Sequence, residues 1–221
     1  MSPEIVSQLI LATEQTFYMV GVSALLAALF GVPLGVFLAS SNAGEIFAAP
    51  LANRLLGAVV NAARSTPFII LVVAIIPFTR LVAGTSIGST AAIVPLTIAA
   101  APFIARVVES AIREVDPGLV EAARAVGATP LQIVRKVLLP EARPSIVLGL
   151  TLSVVSLISY SAMVGAVGGG GLGDFGIRYG YQRFMPDVML VVVVVLIVIV
   201  QFVQSTGDLI ARRLDRRSGH K

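Results

Sequence analysis

The sequence predicts an all-α membrane protein, a bundle of about five transmembrane helices with one polar elbow. Three observations lead there. Hydrophobic residues make up 57% of the 221 and charged residues 13%, with a mean hydropathy of +0.94. A soluble globular chain carries roughly 25% charged residues, so too few remain here to solvate a surface. Charge-free runs recur at the ~20 residues that a helix needs to cross a hydrocarbon core of ~30 Å. The charges that do occur gather in particular connections, above all in the stretch 108–144. A net charge of +4 and a pI near 10.0 therefore record membrane topology. They do not describe a nucleic-acid surface.

The first span is expected over residues 17–40, with Pro33 as a kink and Gly31 with Gly35 as a small-residue patch suited to close helix approach. The N-terminus carries Glu4 and Glu14 in place of the basic region of a signal peptide, so this helix is expected to be retained. The polar turn SSNAGEIFAAP follows. A second span over 55–79 is expected to be irregular near Thr66-Pro67, because the apolar run from Ser65 is too short alone. Non-helical backbone at that depth is tolerated only against protein or a water-filled cavity. Pro67 and the adjoining Phe68 are therefore candidates for a translocation path.

After Arg80 and a Gly-Thr-Ser-Ile-Gly turn, a third span over 88–112 contains Pro95 and Pro102, each expected to bend it. The fourth span, 145–167, ends in a glycine run at 168–173. Tyr160, Ser161 and Met163, just before that run, are its most polar and adaptable part. They join the candidates for the path, with ordinary packing as the competing reading. The fifth span, 187–210, is rich in valine and reaches the basic tail RRLDRR.

The elbow, 113–143, reads as two short helices with their stops written in. Asp116 is placed as an N-cap with Pro117 at the first helical position. Gly127 suits a left-handed C-terminal residue. Thr129 then caps a second helix that starts at Pro130, with Gln132 three positions on, as a capping box requires. Pro140 is expected to close it. With the elbow in the cytosol, Arg54, Arg64, the elbow bases and the C-terminal cluster lie inside, and Arg80, Arg178 and Arg183 outside. That asymmetry puts the N-terminus outside and the C-terminus inside.

Several chemistries are excluded. The chain has no cysteine and so no disulfide, thiol catalysis or thiolate metal site. Its one histidine, His220, sits in a polar tail without metal partners. Gly171-Leu-Gly173-Asp-Phe-Gly176 spells G-x-G-x-x-G but follows a membrane helix, outside the strand–helix context a dinucleotide site needs, so a flexible or re-entrant turn is expected at the outer end of the fourth span, where glycine permits close packing. No P-loop string occurs. The acids lie in loops or at span ends, away from the midplane where an ion-coupled carrier keeps them. Snorkelling to the headgroups is expected for Arg64 and Arg106.

The elbow also carries a pattern: Glu121-Ala122-Ala123, Gly127, Val137, Leu139-Pro140. It resembles the EAA loop of ABC importer permeases, with Val137 where that pattern has isoleucine. The stretches RSTPFIILVVAIIPFTR, GTSIGSTAAIVPLTIAAAPFIARVVE and YSAMVGAVGGGGLGDFG, with the elbow, narrow the likeness to the permeases of bacterial methionine ABC importers over about residues 60–180. The resemblance implies a type I importer permease fold in the inner membrane, with two ABC ATPase subunits, a second copy of the permease and an extracytoplasmic substrate-binding protein as partners. It implies no cofactor on this chain, ATP and Mg being held by the ATPase. It gives Glu121, Ala122, Ala123, Arg124, Gly127, Ala128, Leu139 and Pro140 the role of coupling to that ATPase. A permease for another amino acid or small solute, and a stand-alone channel or secondary carrier, are the alternatives that the residues alone leave open.

Overall fold

The computed structural model describes residues 2–41 and 46–215. Parts of the expected polar turn and of the basic tail, and His220, lie outside the described residues. Among the described residues the regular structure is helical, as lipid demands of a chain whose backbone groups must be satisfied within each segment. The helices are α1 (Pro3–Ser40), α2 (Pro50–Ser65), α3 (Phe68–Ala74), α4 (Ile76–Ala83), α5 (Ser89–Arg113), α6 (Pro117–Ala125), α7 (Pro130–Ile133), α8 (Leu139–Gly165), α9 (Gly171–Phe175) and α10 (Pro186–Leu214). Two π-helical stretches, Val134–Leu138 and Gly176–Gln182, follow α7 and α9. Among the described residues four helical stretches are long and apolar enough to cross a membrane, and a fifth is gained if α2 and α3 are one broken span. The chain is a multi-pass, all-α membrane protein.

The first span begins earlier than its apolar run. α1 starts at Pro3, because Ser2 Oγ accepts the Ile5 N–H at 3.4 Å, proline occupies the first turn and Glu4 suits its positive end. Nothing from there to residue 17 breaks a helix. Pro33 in α1, and Pro95 and Pro102 in α5, lie inside unbroken helices. The second expected span is three helices, interrupted at Thr66-Pro67 and again at Ile75, and closed by Gly84 in the left-handed region.

The larger correction concerns Pro140. It does not stop the second elbow helix, which continues through the π-helical stretch into α8. A proline ring clashes with the carbonyl four residues back and lacks an N–H. The wider π turn just before Pro140 relieves both at once, whereas Pro144 lies within α8 itself.

The chain divides into two compact units. One takes residues up to Ala27, Thr66–Ala100 and Ser153–Gln204. Its core is built from Met19, Leu96, Leu157, Leu172, Phe175 and Val188, all fully buried. The glycine run belongs to this core. The first amides of α9, Gly171 and Leu172, donate at 2.9 Å to Gln15 Oε1 and Thr16 Oγ1, so the helix end that a phosphate would need is already occupied. Gly173 lies directly on the backbone of Ala162, where no side chain fits. The G-x-G-x-x-G string is a packing device.

The other unit takes Ala28–Ser65, Ala101–Leu152 and residues from Ser205 onward. Here α1 and α5 meet across Gly31 and Gly35, whose added Cβ atoms would stand 2.7 Å from Ala101 O and 2.5 Å from Ala105 O. The buried side chains of Ile104 and Val108 fill the space beside them. Gly149 on α8 receives Val107, and Gly207 on α10 receives Thr151. Small residues bring the backbones together because lipid supplies no hydrophobic drive between helices.

Candidate functional site

The elbow lies wholly in the second unit and is built by local chemistry. Asp116 Oδ1 accepts the Gly118 N–H at 2.8 Å, with Pro117 starting α6. At the other end the Gly127 N–H donates to Arg124 O at 2.9 Å and the Ala128 N–H to Ala123 O at 3.0 Å. This is a Schellman closure around a residue at φ +77°, which glycine adopts without strain. Gln132 Oε1 accepts the Thr129 N–H at 2.8 Å and fixes the start of α7. Two sharp turns thus hold α6 at a set angle with few long-range contacts.

No residue of α6 is buried. Glu121, Ala122, Arg124 and Gly127 are exposed, and Ala123 and Ala128 are half-buried. Leu119, Val126 and Leu131 are exposed as well, Val126 to 84%. Apolar side chains on a protruding, otherwise polar elbow form a surface suited to a protein partner. Leu139 and Pro140 sit apart from it, half-buried at the root of α8. Pro140 lines a 240 Å³ cavity there with Ala111, Glu114, Val115 and Glu141. The pattern therefore divides into an exposed tip, 121–128, and a packed base, anchored by the buried Val115, Ile133, Val134 and Leu138.

The path candidates belong to the first unit. Phe68 and Tyr160 stack with centroids 4.4 Å apart and planes 12° from parallel. Pro67 is exposed at the N-cap of α3. Ser161 is 2% exposed and turns its hydroxyl to Ile158 O at 2.7 Å, whereas Met163 is 46% exposed. The Phe68–Tyr160 stack brings α3 against α8.

Arg106 is held by protein partners. It pairs with Glu109 and donates to Gly57 O at 3.0 Å and Asn61 Oδ1 at 2.9 Å, while Arg113 reaches the other oxygen of Glu109 at 2.8 Å. Glu109 is 4% exposed. Sequence reading missed this cluster, although the i, i+3 and i, i+4 spacing of Arg106, Glu109 and Arg113 was its visible signal. Arg64 is exposed, with its guanidinium 6.0 Å from the Phe103 ring centre.

The profile of the family described as "binding-protein-dependent transport system inner membrane component" matches residues 31–220. The probable D-methionine transport system permease protein of Vibrio cholerae is 57% identical over 210 residues, covering 95% of this chain and 93% of that one. The D-methionine transport system permease protein of Escherichia coli is 52% identical over 165 residues, 75% of this chain and 76% of that one. A solved chain of the MetNI methionine ABC transporter, described as inward facing, superposes with a TM-score of 0.96 at 50% identity, covering 98% of this chain and 100% of that chain. A chain of an amino acid ABC transporter with histidines shares the fold, with a TM-score of 0.75 at 22% identity over 96% of this chain and 94% of that one.

Proposed function

This chain belongs to the family of binding-protein-dependent transport system inner membrane components, and we propose that it is the permease subunit of an ATP-driven methionine importer. The observation that carries this is the near full-length match, at 50% identity, to a methionine transporter chain of the same shape. A family defined by dependence on a binding protein disfavours the stand-alone channel or carrier.

The energetics follow from the division of labour. The chain has no P-loop string, so ATP and Mg are held on a partner ATPase, two copies of which serve a pair of permeases. The exposed tip, Glu121 to Ala128, is the surface that ATPase grips. α6 is set by its caps, buries none of its residues and packs only lightly on the elbow segment that follows it, so it moves as a rigid piece with whatever holds it. When ATP draws the two ATPases together, both elbows follow and the permease pair shifts from inward-open to outward-open. This is a population shift driven by a ligand on another chain. The binding protein delivers methionine on the opposite face, to a path that includes Phe68 and Tyr160. The elbow and C-terminus are cytosolic and the N-terminus is outside, in accord with the distribution of bases.

The test is reconstitution of the permease with its ATPase in vesicles, with binding protein on the outer side and ATP enclosed. Labelled methionine accumulates only when all parts are present. Flux through the permease alone, or accumulation of a different amino acid with none of methionine, would overturn the reading. Competition by unlabelled L- and D-methionine separates the enantiomers.

A further inference from the structure

Resting on the importer reading, we infer that Glu109, clamped between Arg106 and Arg113, is a positioning residue for coupling that locks the root of the elbow to α2. Every part of the argument lies within one compact unit. Glu109 is nearly enclosed and each of its two oxygens takes a different arginine. Arg106 in turn reaches across to two acceptors on α2, Gly57 O and Asn61 Oδ1. Arg113 is the last residue of α5, three positions before the Asp116 cap that starts α6. The chain of contacts therefore runs from α2, through Arg106 and Glu109, to the residue from which the elbow departs.

An enclosed carboxylate between two guanidiniums is a demanding arrangement. Removing it leaves two cations with no counter-charge, and continuum reasoning makes such a cluster no more stable than apolar packing of the same volume. What the cluster supplies is direction. Charge-assisted bonds with fixed fork geometry hold a helix end at one angle, where methyl groups would let it roll. A force arriving at α6 is then delivered to α2 and α5 together.

The experiment uses the full complex in vesicles and reads methionine moved per ATP hydrolysed, together with stimulation of the ATPase by loaded binding protein. Glu109→Gln should assemble, hydrolyse ATP at the basal rate, lose stimulation by binding protein and fall about tenfold in methionine per ATP, within the usual range of coupling between sites. Glu109→Asp, which keeps the charge, should recover part of that loss. An assembled Glu109→Gln complex with an unaltered ratio overturns the inference. Should that variant fail to assemble, Asn61→Ala removes one hydrogen bond from an exposed side chain and reads the same point. A drop of about threefold, a part of what a hydrogen bond to a charged group contributes, supports the inference, and no drop overturns it. A wild-type complex that hydrolyses ATP but carries no methionine overturns the importer reading and this inference with it. Coupled wild type with unaffected variants overturns only the inference.

Discussion

Gly35 on α1 faces the backbone of α5 so closely that a Cβ there would stand 2.5 Å from Ala105 O and 2.7 Å from Val108 Cβ. Neither neighbour can swing away, since one is backbone and the other a β-branched side chain that is fully buried. Gly35→Val should therefore force the helices apart and lower stability by about 1–3 kcal/mol, as overpacking does. Gly21, on the same helix, has nothing within 4 Å of its Cβ position. Gly21→Ala should leave stability level or raise it by up to about 1 kcal/mol. Thermal unfolding of the two variants in detergent decides this, and equal effects would remove Gly35 from the helix contact.

Gly127 poses the opposite case, because open space surrounds it and only its φ of +77° demands glycine. A β-branched residue in that region costs roughly 1–2 kcal/mol, whereas asparagine tolerates it. Gly127→Asn should keep most uptake. Gly127→Val should distort the turn that aims α6, retain ATP hydrolysis and lose uptake by about tenfold, again in the range of site-to-site coupling. Uptake and hydrolysis measured in the same vesicles make the comparison, and full uptake by the valine variant would count against the elbow as the point of coupling.

The Phe68–Tyr160 stack separates a path residue from a packing residue. An aromatic pair contributes about 0.5–1.5 kcal/mol beyond its buried area, so its loss is worth up to about tenfold in a rate. Tyr160→Phe keeps both rings and should transport normally. Tyr160→Ala should raise the KM for uptake or open an ATP-independent leak. An alanine variant that assembles and transports as the wild type does would leave the stack with a packing role alone.

What the sequence made legible was local chemistry. Asp116, Gly127 and Gln132 act on residues two to five positions away, and each sits in the structure as its type and spacing require. The Gly31 and Gly35 patch was equally visible, since small residues four apart line one face of a helix. Two features were not. The passage of the elbow helix through Pro140 depends on a π-helical stretch, whose wider hydrogen-bond spacing has no composition of its own. The Arg106 cluster needs α2 beside α5, and no reading along one helix supplies that neighbour.

Orientation can be read directly, because the chain has no native cysteine to mask a probe. Val126, 84% exposed at the end of α6, and Ile87, 68% exposed between α4 and α5, fall on opposite sides of the membrane if bases mark the cytosol. In intact cells a membrane-impermeant maleimide should label Ile87→Cys and spare Val126→Cys. After permeabilisation Val126→Cys should react in the permease expressed alone and be shielded when the ATPase is co-expressed, since an apolar tip gripped by a partner loses access to water. Labelling of Val126→Cys in intact cells would invert the topology. Equal labelling with and without the ATPase would detach α6 from the subunit that drives it, and the importer reading would lose the contact through which its energy enters.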